Sequence, residues 1–569
     1  MALKHLLTTQ GEAFSNEANP YITFYPRPQL KRDSFFSLNG VWSFTYYDSK
    51  EGTELTKDIN VPFPPESLLS GVGCSLGKKS TIIYKRLFTL PKGFLKSRVI
   101  LNLGAVSGRC DIFINSVKVT SHTGGYNSFS CDITEQIKES ENEIEIYCHN
   151  DLSGTLPYGK QTVKRGGMWY TPASGIWQSI WIESVPSSYV KSLKITPLSN
   201  GARIEAEGIK NGVITLTANG QRLDLVDGVA EITVDEPVFW SPDNPHLYYF
   251  TLEDCEGDGD IVSSYFAIRT IEVKDIDGIK RICLNGKPIF FHGVLDQGYF
   301  SDGIYTPASP TLYEEDILRM KALGFNTLRK HIKIEPEWFY YDCDRLGMIV
   351  FQDMVNNGRY SFVRDTALPT VGIKYFPPWL IHRTREQRAE FLKGMKETVN
   401  QLYNHPCICY WTIFNEGWGQ FSPEKMYEEL SLLDKTRIID STSGWFKGKR
   451  SDVESIHVYF KAVKLKKADL PIVLSEYGGY CYKVEGHSAN EDKTYAYKFF
   501  KSQAEFENAL ASLFSEEIKP LISKGLCGAI YTQLSDVEDE TNGLITYDRR
   551  VVKVNTDTFK KIGESLIVN

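Results

Sequence analysis

Near residue 274 the hydrophobic pattern of the 569-residue chain changes its period, so its two halves cannot belong to one kind of layer. Before that point short runs alternate apolar and polar residues between turn signals, as in YKRLFTL (84–90), RVILNLG (98–104), CDIFINS (110–116) and NEIEIYC (142–148). Every second side chain of a strand shares a face, so this pattern predicts an antiparallel sandwich with one buried face per sheet. The first sandwich is expected to end near WQSIWIESV (177–185). A second series, ARIEAEG (202–208), GVITLTANG (212–220), VAEITV (229–234) and LYYFTLED (247–254), predicts an immunoglobulin-like sandwich, for which about 85 residues suffice. Five of the ten tryptophans, Trp42, Trp169, Trp177, Trp181 and Trp240, fall in this half and are expected in packing roles.

After the switch, apolar runs alternate with amphipathic helix signals, which predicts βα units on a parallel sheet. The runs are IFFHGV (289–294), FNTLRKH (325–331), MIVFQD (348–353), CICYWTIFN (407–415), RIIDST (437–442), ESIHVYF (454–460), PIVLSEY (471–477) and GAIYTQL (528–534). Between them Thr311 with Glu314 and Thr384 with Gln387 form capping-box patterns, and Ser422-Pro423 opens another helix. Eight strands in about 295 residues predict a closed (β/α)8 barrel. The expected domains are therefore 1–186, a jelly-roll sandwich; 187–273, an immunoglobulin-like sandwich; and 274–569, the barrel. The stretch 354–383, with Pro369, Pro377, Pro378 and Trp379, is long enough for a compact domain to expect a functional loop.

Composition excludes several classes. Lys and Arg number 64 against 71 Asp and Glu, a net charge of −7, which offers no general attraction for nucleic acid or anionic lipid. The basic run Lys464, Lys466, Lys467 is expected to be a solvated helix face. The eleven cysteines form no C-x-x-C pair and no spacing with histidine that suits a metal, so no disulfide scaffold is expected. Cys407 and Cys409 are expected as buried thiols. No apolar run reaches 18 residues and the start lacks a signal-peptide pattern, so the expectation is a cytoplasmic protein without a membrane partner.

A barrel presents its working residues at the carboxyl ends of its strands, and two carboxylates stand there: Glu416 after the fourth run and Glu476 at the end of the seventh. Facing carboxylates can cleave a glycosidic bond, one protonating the departing oxygen and the other meeting the anomeric carbon. Each could otherwise be a strand-end salt-bridge partner. Arg329 and His331 alternate on one strand face, and Arg329 could donate to Glu476 or form a purely structural ion pair. His457 and Tyr459 also share a face, whereas His292 reads equally well as a core histidine.

Longer blocks carry a resemblance. GFNTLRKHIKIEP (324–336), CDRLGMIVFQDM (343–354), NHPCICYWTIFNEGWGQ (404–420) and LSEYGGY (474–480), with FYPRPQL, SLNGVWSF, GGYNSF, SGIWQSIWIE and FWSPDNPHLY in the β half, resemble glycoside hydrolase family 2. That family contains β-galactosidases, β-glucuronidases and β-mannosidases. The resemblance implies that Glu416 is the acid/base and Glu476 the nucleophile of a retaining exo-β-glycosidase, that Asn415 donates to the sugar hydroxyl beside the anomeric centre, and that the Tyr459 hydroxyl touches the nucleophile. An acid needs an apolar or anionic surrounding, for which Trp411 is the expected neighbour. Trp418 and Trp445, in loops that read as exposed, are expected to stack on a sugar or to pack. Asp296, in a region where relatives contact the glycone, and Asp353, ending the third strand, are further candidates for substrate binding.

The resemblance also bears on the sugar. Glucuronidases of the family carry an Asn-x-Lys motif, where this chain reads Glu540-Thr541-Asn542, with an acid in place and no lysine. Arg549, Arg550 or Lys553 could substitute from another direction, and Tyr531 or Thr532 stands where a tryptophan is common. The expected substrate is thus a β-galactoside, with a glucuronide second and a β-mannoside third. The alternative of another class is a non-catalytic carbohydrate-binding or scaffold protein. The expected partner is a β-glycoside or oligosaccharide, and the family's habit of forming homo-oligomers is carried with it. No cofactor is expected, with a structural or glycone-site cation left open.

Overall fold

The computed structural model describes the chain except residues 1–3, 15–17, 49–51, 78–79, 151, 257–258, 369–383 and 569. The prolines and Trp379 of the expected functional loop lie outside the described residues. The first sandwich pairs a four-stranded sheet, in the order Phe36–Ser37, Ile180–Val185, Arg98–Leu103, Phe129–Asp132, with a six-stranded one from Thr53–Val61 to Val117–Gly124. Alternation does what the sequence requires. Along Asn142–His149, positions 142, 144, 146 and 148 are buried and the residues between them are not, and Ile144 and Ile146 pack with Trp42, Tyr84 and Leu101 between the sheets. The second sandwich stacks a three-stranded sheet (Ser192–Leu198, Gly201–Glu207, Val229–Thr233) on a four-stranded one containing Gly212–Leu216 and Tyr248–Asp254.

Eight parallel strands follow: β1 (Phe291–Asp296), β2 (Thr327–Lys330), β3 (Ile349–Asp353), β4 (Ile408–Thr412), β5 (Ile438–Asp440), β6 (Glu454–Val458), β7 (Ile472–Gly478) and β8 (Leu526–Thr532). Their order is β5-β4-β3-β2-β1-β8-β7-β6, so β1 and β8 pair and the ring lacks only a β5–β6 ladder among the described residues. Hydroxyls bridge that seam instead: Ser443, just beyond β5, lies 3.2 Å from Ser455 on β6 and 2.9 Å from Ser475 on β7. A hairpin, Ile271–Ile276 with Ile279–Leu284, underlies the barrel, and Arg281 donates to the carbonyl of Leu526 where β8 begins. The expected boundary at 273/274 therefore falls within a hairpin whose Ile282 and Leu284 belong to the barrel core.

Local signals explain the helices. Thr384 caps Arg385–Leu402 by accepting from the Gln387 N–H at 3.1 Å, and Pro423 opens Pro423–Leu433. Thr311 is already inside its helix, Thr311–Ala322, and Ser309 accepts its N–H, so the expected box is not formed there. No helix fills the β5–β6 or β6–β7 connections, and the Lys464–Lys467 run is irregular chain rather than a helix face. Three lysines within one turn repel each other and no acid within that turn offsets them. Cys407 and Cys409 are buried and unbridged. No helix of the described residues is long and apolar enough to cross a membrane.

Candidate active site

Strand parity decides which side chains enter the barrel. In the parallel register Leu295, Arg329 and Phe351 are neighbours on one face and Asp296, Lys330 and Gln352 on the other. Arg329 faces inward and is fully buried, and its guanidinium uses all five N–H groups. Nε and Nη2 grip both oxygens of Asp353 at 3.0 Å, Nη2 also meets Asn415 Oδ1 at 2.9 Å, and Nη1 donates to the Ser475 carbonyl at 3.0 Å and to Glu476 Oε1 at 3.1 Å. One cation thereby fixes groups from β3, β4 and β7. Because Asn415 accepts through Oδ1, its amide N–H groups are turned away from Arg329 and have no acceptor among the described residues.

Glu476 and Glu416 meet over the mouth. Oxygens of the two carboxylates and a ring nitrogen of His457 all lie within 4.8 Å of one another. His457 Nδ1 is 2.9 Å from Glu416 and 3.5 Å from Glu476, while its Nε2 lies 2.9 Å from the Ser443 hydroxyl. Tyr459 donates its hydroxyl to Glu476 Oε2 and lies 3.2 Å from Thr532 Oγ1; its ring stacks on Tyr497 at 3.9 Å. Burial alone would push the Glu476 carboxyl up, but the positive charges of His457, Arg329, His331 and Lys160 outweigh it and hold it down to about 2. Burial likewise works against an ionised Asp353, and Arg329 with His331 reverses the balance. His331 donates or accepts at Nδ1 with Asp353 at 2.8 Å, and burial first, then the Lys160 charge, lowers its basicity.

Glu416 is held differently. Its side chain is 14% exposed against 6% for Glu476, and His457 is its side-chain partner among the described residues. Its backbone lies in the left-handed region at φ 50°, a conformation that costs a non-glycine residue about 1 kcal/mol or more. The Glu416 N–H to Ser443 carbonyl bond of 2.8 Å and the Gly417 turn that follows hold it there. A cavity of about 680 Å³ touches His457 and Trp445, but it is lined mainly by β6 and the 461–468 segment and includes neither Glu416 nor Glu476. The three clustered donors could in principle ligate a cation, but the cations Arg329 and Lys160 already surround them and oppose one.

Several expected neighbours stand elsewhere. Trp411 points away from the mouth: its indole N–H donates to Asp434 at 2.9 Å, so it gives Glu416 no apolar surrounding. Asp296, expected on the glycone, has the outward parity; Lys330 Nζ takes one oxygen at 2.6 Å and the Gly298 N–H the other at 2.8 Å. Asp353 is wholly buried and orients Arg329 and His331 rather than reaching the pocket. His292 also faces outward, stacked on Phe325 at 4.3 Å, and burial pushes its basicity down to about 3. Trp445 meets the His457 ring edge-on at 5.9 Å. Trp418 is buried, not exposed, because Trp169 stacks on it at 5.5 Å and Tyr360 closes its edge.

Trp169 and Lys160 were not among the expected site residues, since they belong to the first sandwich. The signal was present: among the described residues no strand occurs between His149 and Ile180, a loop of the length that is commonly functional. Tyr170 of the same segment donates to Glu540, whose other oxygen accepts from Asn542 at 3.1 Å, so that acid is not bare in the pocket. Arg549 pairs with Asp316 at 3.3 Å, Arg550 with Glu12, and Lys553 with Asp536 at 2.6 Å; none of the three expected substitutes is directed at a substrate.

A barrel whose mouth carries two carboxylates this close has the build of a carbohydrate-cleaving hydrolase. Residues 271–561 match the family model of the glycosyl hydrolases family 2 TIM barrel domain, and residues 72–174 match the glycosyl hydrolase 2 galactose-binding domain-like model. The chain belongs to glycoside hydrolase family 2. It is similar to a putative β-glucuronidase of Formosa agariphila, 25% identical over 385 residues that make up 63% of this chain and 34% of that protein. It is also similar to a β-galactosidase of Thermoanaerobacter pseudethanolicus, 24% identical, covering 62% and 47%. The chain spans between a third and a half of the length of these relatives. In fold it matches a solved β-D-glucuronidase of Dictyoglomus thermophilum at a TM-score of 0.75 and 19% identity, covering 95% of this chain and 98% of that one.

Proposed function

We propose that the protein is a retaining exo-β-glycosidase in which Glu476 is the nucleophile and Glu416 the acid/base. The observation that carries the reading is the carboxylate separation: oxygens within 4.8 Å fit the roughly 5 Å of a double displacement and not the 6.5–9.5 Å that an inverting site needs for its water. Glu476, ionised by its surrounding cations, attacks the anomeric carbon while the proton of Glu416 passes to the glycosidic oxygen. Once the glycosyl ester forms, Glu416 takes a proton from water, which attacks the anomeric carbon and releases the Glu476 carboxylate. Asn415, with its amide hydrogens unclaimed, is oriented by Arg329 to donate to the neighbouring sugar hydroxyl. His331, His457, Tyr459, Trp418 and Trp445 complete the pocket, with Arg329 and Asp353 as positioning residues and Asp296 as scaffold.

For the glycone, a β-galactoside and a β-hexuronide are both supported, the first by the missing Asn-x-Lys lysine, the second by relatives named glucuronidases and by the capped state of Glu540. The β-mannoside reading stands third. The intact carboxylate pair speaks against a non-catalytic carbohydrate-binding protein. The test is a panel of nitrophenyl β-glycosides with proton NMR of the released sugar, followed by Glu476→Ala with azide. Retained β-anomer from the parent and an α-glycosyl azide from the variant are expected; an inverted parent product would sink the reading.

A further inference from the structure

Beyond the charge by which it helps to keep Glu476 ionised, Lys160 has no part in the double displacement. It comes from the first sandwich, yet the segment just before it is pinned to the barrel's mouth and its own carbonyl to Tyr170 of the same loop. The Tyr158 N–H donates to the Asn356 carbonyl at 3.1 Å, the Tyr158 hydroxyl to the Gly358 carbonyl at 2.7 Å, and the Lys160 carbonyl accepts the Tyr170 N–H at 3.0 Å. Gly159, at φ 63°, lies so close to the end of β2 that an added Cβ would be 3.1 Å from the Ile332 carbonyl oxygen. Gly159 thus brings Lys160 close to the strand end that carries His331, in a backbone conformation that favours glycine.

The ammonium group is enclosed by aromatic faces, 5.7 Å from the Tyr170 ring centroid and 5.9 Å from that of Trp418. The residue is 7% exposed, and among the described residues its ammonium has no ion pair or hydrogen bond. Its charge helps to hold the Glu476 carboxyl down and lowers the basicity of His331, so it lies within electrostatic reach of both. The ammonium is not among the fully enclosed polar atoms, so its three donors remain open to an anion in a largely apolar setting. The other cations nearby are already matched: Lys330 and Lys333 by Glu335, Arg329 by Asp353 and Glu476, and Lys553 by Asp536.

Resting on the β-glycosidase reading above, we propose that Lys160 is the specificity-determining cation of the glycone pocket and binds the carboxylate of a β-hexuronide. The cation then enters from the sandwich loop rather than from the Glu540–Asn542 segment after β8, and the substrate order changes: hexuronide first, galactoside second. Trp418 and Tyr170 shield the pair from water, which strengthens it.

The test compares nitrophenyl β-glucuronide, β-galacturonide and β-galactoside with the parent enzyme, Lys160→Gln and Lys160→Arg. The parent is expected to favour a uronide, and Lys160→Gln to lower the ratio of uronide to galactoside kcat/KM by on the order of 100-fold, chiefly through KM. Lys160→Arg should recover part of that ratio. Equal losses on both substrate classes would mean that Lys160 serves only to keep Glu476 ionised, and would overturn the assignment, as would no change in the ratio. A measurement free of variants is competition by free glucuronate and galacturonate against free galactose: stronger inhibition by the acids supports the assignment, and equal or weaker inhibition overturns it. The underlying reading fails separately, through absence of turnover of every aryl β-glycoside by the parent.

Discussion

Replacing Arg329 by methionine keeps most of the side chain's volume and removes the charge that ties three strands together. Asp353 would be left fully buried with His331 as its remaining partner, and Asn415 and Glu476 would each lose a donor. Removing one member of a buried ion pair costs about 3–5 kcal/mol. The move of the Glu476 carboxyl from 4.5 to about 2 corresponds to roughly 3 kcal/mol in favour of its ionised form, and Arg329 supplies part of it, after His457. The sign follows: a carboxyl held below its unfolded value contributes stability above pH 4.5 and loses it as the pH falls toward 2. The variant's deficit should therefore be full near neutrality and shrink on acidification. The acid limb of its kcat/KM profile should move up by about one pH unit, because a higher carboxyl value removes the ionised nucleophile sooner. Arg329→Lys, with three donors in place of five, should fall between. Denaturation followed by circular dichroism at several pH values, with pH–rate profiles on an aryl glycoside, measures both effects. An equally stable variant with an unmoved acid limb would refute the reasoning.

Three further outcomes are expected. Glu416→Gln should slow glycosides with poor leaving groups far more than nitrophenyl ones, seen as a steeper dependence of rate on leaving-group acidity; equal slowing would remove the acid role. Tyr459→Phe deletes the hydroxyl donor to Glu476 Oε2 and should cost about 2 kcal/mol in kcat/KM, or roughly 30-fold, since bonds to charged groups are worth about 1.5–3 kcal/mol. Asp296→Asn should lower the melting temperature through its lost pairing with Lys330 while changing the KM for a nitrophenyl glycoside by less than about threefold; a large rise in KM would return Asp296 to the glycone.

The barrel was legible because period and position are local properties. Eight apolar runs gave eight strands, and Glu416 and Glu476 stood where runs stop. Parity along β2 was enough to put Arg329 and His331 on one face. Reading parity across to β1 would also have turned Asp296 outward with Lys330, but register between strands is set by the closed ring and is not written in either run. Trp411 misled for the same reason: it pairs with Gln352 and stands one position from the inward Tyr410, so its indole turns outward to Asp434. Lys160 and Trp169 could not be assigned to the site from spacing at all. They reach it through contacts about 200 residues apart, from Tyr158 to Gly358, that exist only once sandwich and barrel are packed.

The central claim is a covalent bond at one atom pair. Incubation with 2-deoxy-2-fluoro-β-glycosyl fluorides of the galactose and glucuronic acid series, followed by proteolysis and mass spectrometry, should show one fluoroglycosyl unit on the peptide containing Glu476, with activity lost in step. Stoichiometric labelling of a different carboxylate, Glu416 included, would contradict the account.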